Sequence, residues 1–292
     1  MTKKIYVSLC DGMSCGAVAL DRLGLMDNDI EYHAFEIDKY AEAVSRMNYP
    51  EAIRHGDARN YTKLIGKDVF LLMGGFPCQP YSVAGQGKGD NDERDLSTLI
   101  FDALRDLKPK YFLFENVPMK AEDEERITMG IIEAYGGQDA GHAYMINSQD
   151  FSAHHRKRLY WTNIPVAPYK DKGIVLSDII EDGMVDRDKS YCVDANYFKG
   201  GSMKMYYEKS RRQLVFDTKG CHQVGETDEL HWRNLTPLEC ERLQTVPDYY
   251  TSYGLFEEGG AFKPISNSQR YKMLGNGWTV DVIQHIMEGM EI

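Results

Sequence analysis

Residues 1–165 alternate short, almost unbroken apolar runs with longer amphipathic stretches, and few architectures accept that pattern. IYVSL (5–9), EYHAFEI (31–37), VFLLMG (69–74) and YFLFEN (111–116) read as strands. Between them AVALDRLG (17–24), KYAEAVSRMNY (39–49) and LSTLIFDALRDL (96–107) have helical spacing. A strand that is apolar on both faces needs cover on both, and intervening helices supply it. The alternation therefore predicts an α/β fold, a parallel sheet with helices on both faces. GHAYMINSQDF (141–151) and KRLYWTNIP (157–165) read as two further strands closing the sheet, and AEDEE (121–125) as the solvated start of a helix.

The pattern changes near residue 166. Prolines, glycines and aspartates follow without a clear period as far as about 230, too long for one loop, so this stretch reads as a small irregular domain. Helical spacing returns in TPLECERLQTV (236–246) and NGWTVDVIQHIMEGM (276–290). Thr236 with Glu239 three residues on, and Pro237 between them, is a capping-box start. The expected division is 1–165, 166–231 and 232–292, the last segment returning to the first.

No run of about 18 apolar residues predicts a membrane span, and the N-terminus is a poor signal peptide, so a cytoplasmic location is expected. Six scattered cysteines (Cys10, Cys15, Cys78, Cys192, Cys221, Cys240) without CxxC pairs suit reduced thiols, and neither Cys10/Cys15 nor His154/His155 has the second half of a metal site. A net charge of −11 argues on its face against a nucleic-acid partner. The charge is uneven, however: residues 199–219 hold six Lys or Arg against Glu208 and Asp217, a local +4, and HHRKR (154–158) is a second basic cluster. Local charge decides whether a polyanion can dock.

The chemistry-bearing residues fall at the ends of the expected strands, where open α/β sheets bind ligands. The first strand runs into CDGMSCG, a small-residue turn opening a helix; it is not a G-x-G-x-x-G fingerprint. Glu36, about 20 residues on, is placed to accept ribose hydroxyls, or is a plain surface glutamate. Asp57 in HGDAR could accept from an adenine amino group. Cys78, in GGFPCQPYS (74–82), directly follows a strand and precedes the glycine-rich AGQGKGDNDERD (84–95), which reads as a lid. A buried structural thiol and a nucleophile both remain open for it. Glu115 should project over the same edge, and a thiol beside a carboxyl suits attack on a ring with protonation of a ring nitrogen.

Read in order, GGFPCQPYS, FLFENVP, HHRKRLYW, LTPLECERLQTVPD and LGNGWTV resemble successive motifs of the DNA cytosine-5 methyltransferases. The resemblance covers roughly 3–165 and 232–288, and its wording is closest to the de novo type of animal enzyme, in a compact bacterial or phage-like form. It implies a Rossmann-like sheet that uses S-adenosylmethionine and releases S-adenosylhomocysteine, with no metal, and a target-recognition domain at 166–231. Cys78 would attack carbon 6 of a flipped-out cytosine and Glu115 would act on ring nitrogen 3. Arg158 would hold the cytosine carbonyl, with Arg156 and Asn116 ordering the site. The cofactor set would be the backbone of Gly12, Met13 and Ser14, then Glu36, Ile37, Asp57, Ala58 and Pro77, and Asn276, Gly277 and Trp278 from the chain's end. DNA would meet Ser82 and Arg94 on the lid and Lys204, Arg211 and Arg212 in the recognition stretch. The first motif of the family carries an aromatic where this chain has Cys10.

The implied partner is double-stranded DNA, with room for a cognate restriction endonuclease, and the implied protein is a monomer or weak homo-oligomer in a bacterial cell or phage-infected host. Two rival readings stand beside this one: a tRNA methyltransferase of the same fold, and a non-catalytic DNA-binding homologue.

Overall fold

The computed structural model describes residues 3–27, 29–76, 96–137, 142–217 and 231–292. Pro77, Cys78, Ser82 and Arg94, on which four of the site expectations fall, lie outside the described residues, as does Cys221.

In chain order the elements of the sheet layer are β1 (Lys4–Leu9), α1 (Cys15–Arg22), β2 (Ile30–Phe35), α2 (Lys39–Asn48), β3 (Ile53–Arg54), β4 (Val69–Gly75), α3 (Ser97–Leu107), β5 (Tyr111–Asn116), α4 (Ala121–Tyr135), β6 (His142–Asn147) and β7 (Lys157–Thr162). Residues 166–231 add α5 (Met203–Lys209) and β8 (Leu214–Phe216), and β9 (Trp232–Asn234) follows at the start of the next segment. The C-terminal part holds α6 (Pro237–Leu243), β10 (Tyr253–Phe256), β11 (Ala261–Pro264), α7 (Asn267–Asn276) and α8 (Val280–Met287).

Seven strands form one sheet in the order β3-β2-β1-β4-β5-β7-β6. β3, β2, β1, β4 and β5 are mutually parallel. β7 runs antiparallel to both β5 and β6, which corrects the expectation of an all-parallel sheet. The reason is the connection: β6 and β7 are joined by nine residues, too few for the helical crossover that parallel neighbours need, so β7 must fold back. Such a chain still buries the sheet on both faces. Along β5 alternate residues go to opposite cores: Phe112 and Phe114 join Leu104, Ile127 and Trp161 under α3 and α4, whereas Leu113 joins Leu20, Val280 and Ile283 under α1 and α8.

The end of the chain lies beside its beginning. α8 packs on α1, and Arg22 reaches across to Asp281 at 2.7 Å. Thr236 and Glu239 close the capping box at the start of α6, with Glu239 buried and also held by Arg233 at 2.7 Å. Helix α7 was not anticipated, because its face is largely polar; of NGWT, read as the start of the last helix, Asn276 instead ends α7 and the other three residues link it to α8. The segment 166–217 has a small core of Tyr206, Leu214 and Phe216, yet Leu176, Ile179, Val193 and Tyr197 sit in the larger core beneath α1 and α8. It is therefore seated on the sheet layer through its own buried side chains. No helix among the described residues is long and apolar enough to cross a membrane.

Candidate active site

Loop 10–14, which joins β1 to α1, is bent back on itself: Cys10, Gly12 and Ser14 all have positive φ (54°, 59° and 64°). That region is costly for Cys and Ser, so surrounding contacts must hold it. Asp11 supplies them from inside. Buried at the loop's centre, it accepts from the hydroxyls of Ser14 and Tyr32, and its backbone N–H donates to Phe35 O at 2.9 Å. Burial raises the Asp11 pKa, and these hydroxyl hydrogen bonds oppose the rise. Tyr250, from the far end of the chain, donates to Met13 O at 2.7 Å.

Glu36 sits across from this loop at the end of β2. One carboxylate oxygen accepts from Gly12 N at 2.7 Å, and the other from Ile37 N and Asp38 N at 2.8 and 2.7 Å. Burial raises its pKa, with the three backbone donors pulling the other way. A carboxylate has about four lone-pair sites, so three backbone donors leave room for about one hydroxyl rather than the two of a ribose. The adjoining Ile37 side chain is 77% exposed, an apolar surface with no cover at the rim of the site.

A cavity of about 220 Å³ opens between these elements, lined among others by Cys10, Gly12, Glu36, Glu115, Arg158 and Trp278. Of the residues expected to hold a nucleoside cofactor, Gly12, Met13, Glu36, Asn276, Gly277 and Trp278 line it. Ser14 and Ala58 are buried in the body of the protein, and Asp57 and Ile37 stand outside the cavity. Asp57 already accepts from Arg59, through backbone N at 2.9 Å and Nε at 3.0 Å, and these hydrogen bonds lower its pKa.

At the other end of the cavity Glu115 projects from β5, only 7% exposed. Arg158 Nε lies 2.7 Å from one of its oxygens, and Trp278 Nε1 donates to the other at 3.2 Å. Gly75, at the end of β4, makes room: a Cβ there would stand 2.8 Å from Trp278 Nε1 and 3.3 Å from the Glu115 carboxylate. Asn116, buried beside it, donates to Phe76 O at 3.4 Å and so holds the last described residue before Pro77 and Cys78. Arg156 is also buried. Its guanidinium donates to Val193 O at 3.1 Å, Gly275 O at 3.2 Å and Gly277 O at 2.7 Å, tying the segment around Val193 to the end of α7.

Helix α7 presses on the same stretch at Gly275, where a Cβ would lie 2.2 Å from the Asp194 carbonyl carbon and 2.3 Å from Ala195 N. Backbone cannot swing aside as a flexible side chain can, so Gly275→Ala should be destabilising. We expect a loss of about 2 kcal/mol, seen in thermal unfolding as a Tm lower by about 5 °C. An unchanged Tm would mean the contact yields freely.

Of the three basic residues assigned to DNA in the recognition stretch, Lys204 is exposed. Arg211 is half-buried and paired with Asp194 at 2.6 Å. The expectation for Arg212 is corrected: it is 9% exposed, in left-handed backbone, with its guanidinium turned inward to Gly200 O, so it is not presented to a phosphate. His154, weighed as half of a metal site, is fully buried and bonded to Thr279 Oγ1 at 3.2 Å. No cluster of three or more metal-ligating side chains occurs among the described residues.

One residue of the site was missed in the sequence. The Cys192 sulfur lies 3.5 Å from Arg156 Nη1, in a stretch whose lack of periodicity offered no signal for it.

Residues 6–167 and 170–291 match the family described as C-5 cytosine-specific DNA methylase. The chain is 28% identical to the type II methyltransferase M.HhaI of Haemophilus parahaemolyticus, over 96% of this chain and 92% of that one. It is also 28% identical to the type II methyltransferase M1.ScrFI of Lactococcus lactis subsp. cremoris, over 87% of this chain and 70% of that one. The solved structure of the Entamoeba histolytica methyltransferase EhMeth superposes with a TM-score of 0.70 at 16% identity, covering 99% of this chain and 98% of that one, a likeness of fold.

Proposed function

This chain belongs to the C-5 cytosine-specific DNA methylase family and methylates carbon 5 of cytosine in DNA, and we propose that it does so with Cys78 as nucleophile and Glu115 as the group acting on ring nitrogen 3. The observation that carries this reading is the meeting of Glu115, Arg158 and Trp278 in one cavity with the Gly12–Glu36 edge.

The cavity suits S-adenosylmethionine. It offers an anchored carboxylate for one ribose hydroxyl and close backbone at Gly12 and Gly277, and the exposed apolar Ile37 side chain, next to Glu36 and outside the cavity, is the proposed cover for a purine. When bound there, the cofactor supplies the electrophilic methyl group. Cys10 in place of a bulkier side chain leaves this wall small, and its thiol, pushed up to about 12 by burial and by Glu36, Asp57 and Asp11, stays neutral.

On the DNA side, the Cys78 thiolate adds to carbon 6 of an extruded cytosine, its lone pair forming the sulfur–carbon bond while the π pair between carbons 5 and 6 becomes available at carbon 5. Glu115 hydrogen-bonds or protonates nitrogen 3 as electron density arrives there, while Arg158 fixes the Glu115 carboxyl and faces the cytosine carbonyl. Once carbon 5 carries the methyl group, loss of its proton and expulsion of the Cys78 sulfur restore the ring. Arg156 and Asn116 order the surrounding backbone. Ser82, Arg94, Lys204 and Arg211 are the proposed phosphate and base contacts, and residues 166–231 the target-recognition region. The relatives' names include type II and orphan phage enzymes, so the reading holds with or without a cognate endonuclease, in the cytoplasm of a bacterial cell or infected host.

The deciding experiment supplies purified protein with labelled S-adenosylmethionine and either duplex DNA or tRNA, then maps modified cytosines by bisulfite sequencing. Label in duplex DNA, in a fixed sequence context, is expected. Label in tRNA alone would overturn the reading.

A further inference from the structure

We propose that Trp278 is a positioning residue for methyl transfer, its indole N–H the second anchor that fixes the Glu115 carboxyl group against the flipped-out cytosine. The inference rests on the role given above to Glu115. It gives a residue so far assigned to the cofactor a task on the cytosine side of the cavity.

Glu115 is held at both oxygens, each by a different part of the chain. Arg158 Nε lies 2.7 Å from Oε1, and Trp278 Nε1 donates to Oε2 at 3.2 Å. A carboxylate met at one oxygen can still turn about its last side-chain bond, because that torsion is broad and roughly two-fold. A donor on each oxygen removes the freedom, so the plane of the carboxyl group depends on the indole as well as on the guanidinium. Gly75 makes room for the contact: a Cβ there would stand 2.8 Å from Trp278 Nε1 and 3.4 Å from Cε2 of the same ring. The Gly75 backbone is not left-handed, so what glycine supplies at this position is space.

The residues on either side of Trp278 are fixed by polar contacts, which sets where the indole leaves the backbone. Before it, Gly277 O accepts from Arg156 Nη2 at 2.7 Å and from Gln244 Nε2 at 3.1 Å. After it, the Thr279 hydroxyl donates to Gln244 Oε1 at 2.9 Å and meets Ser148 Oγ at 2.8 Å and His154 Nε2 at 3.2 Å. Gln244, Thr279, Ser148 and His154 are fully buried, and buried hydrogen-bond networks hold their members to one geometry. A circuit of contacts closes on itself. It runs from Glu115 to Trp278, through the backbone to Gly277, across to Arg156, along the chain to Arg158 and back to Glu115. Trp278 also lines the cofactor cavity, so the cofactor wall and the carboxyl group that acts on the cytosine share one side chain.

The test uses the full chain with Trp278→Phe, and with 3-benzothienylalanine at position 278, which keeps the shape of the indole and puts sulfur where the N–H stands. Both should lower kcat on duplex DNA roughly tenfold, the scale of one lost hydrogen bond to a charged group. Affinity for S-adenosylhomocysteine, by calorimetry, should stay within about threefold, since the N–H acts on the reaction and not on cofactor binding. The Tm should stay near wild type, because an aromatic ring still fills the place. In protein labelled with ¹⁵N-tryptophan, the Trp278 indole signal is identified by its absence from Trp278→Phe. It should shift upfield in Glu115→Ala, which removes the acceptor. Wild-type kcat with 3-benzothienylalanine, or an indole signal indifferent to Glu115→Ala, would overturn the proposal. So would a rate loss matched by equal losses of cofactor affinity and Tm, the mark of packing alone. Glu115→Gln measured alongside separates the two layers. If that variant kept full activity the role of Glu115 would have failed, and the indole signal would still report whether Trp278 holds its carboxyl group.

Discussion

Glu115→Gln is expected to lower kcat about a thousandfold, within the range of general acid–base catalysis. The substitution keeps the size of the side chain, and glutamine can still accept from Trp278 Nε1. It cannot deliver a proton to ring nitrogen 3, and it leaves the Arg158 guanidinium without the carboxylate that lies 2.7 Å from its Nε. Removing one partner of a buried charge pair leaves the other uncompensated, so Arg158 should also shift away from the cytosine position. Cofactor binding should change little, because Glu36 and the Gly12 loop are at the opposite end of the cavity. Steady-state methylation of duplex DNA, with calorimetric titration of S-adenosylhomocysteine on the same preparation, measures both quantities. A kcat within about tenfold of wild type would place the essential proton transfer elsewhere.

Cys78→Ser should be more severe, with kcat down by at least about four orders of magnitude, since removal of a covalent nucleophile leaves only binding and orientation. A serine hydroxyl at neutral pH is almost wholly protonated, whereas a cysteine is a few per cent thiolate even when unassisted. The strand that leads to this position is firmly held: Leu71, Leu72 and Met73 of β4 are fully buried, and Asn116 grips the Phe76 carbonyl. The variant should thus fold normally and bind S-adenosylhomocysteine as wild type does. Full activity would refute the covalent route.

Several features were legible in advance for a local reason. An apolar run of six residues between polar turns can only be a buried strand or a piece of helix, and YFLFEN ends as a strand at the same residue, Asn116, that the sequence suggested. A capping box is likewise a matter of four consecutive residues, and Thr236–Glu239 closes as written. Charge counting misled at Arg212, because composition registers a basic residue without registering which way its side chain turns. The direction of β7 was not readable from KRLYWTNIP itself; it follows from the shortness of the link behind it. Glu36 was found by its offset from the Gly12 turn, whereas its three backbone donors appear only once β2 and the loop are packed together.

By itself, then, the sequence determined the strands and helices of the sheet layer, the placing of Glu36 and Glu115 at strand ends, and through its ordered motifs the family, because each depends on residues close together along the chain. The tertiary structure alone decided which groups share charge. Arg158 with Glu115, Arg156 with Gly277, and Cys192 with Arg156 are pairings between residues 36 to 121 positions apart. Which way a buried thiol's pKa moves depends on burial opposed by nearby positive charge, and both quantities exist only after the chain has folded.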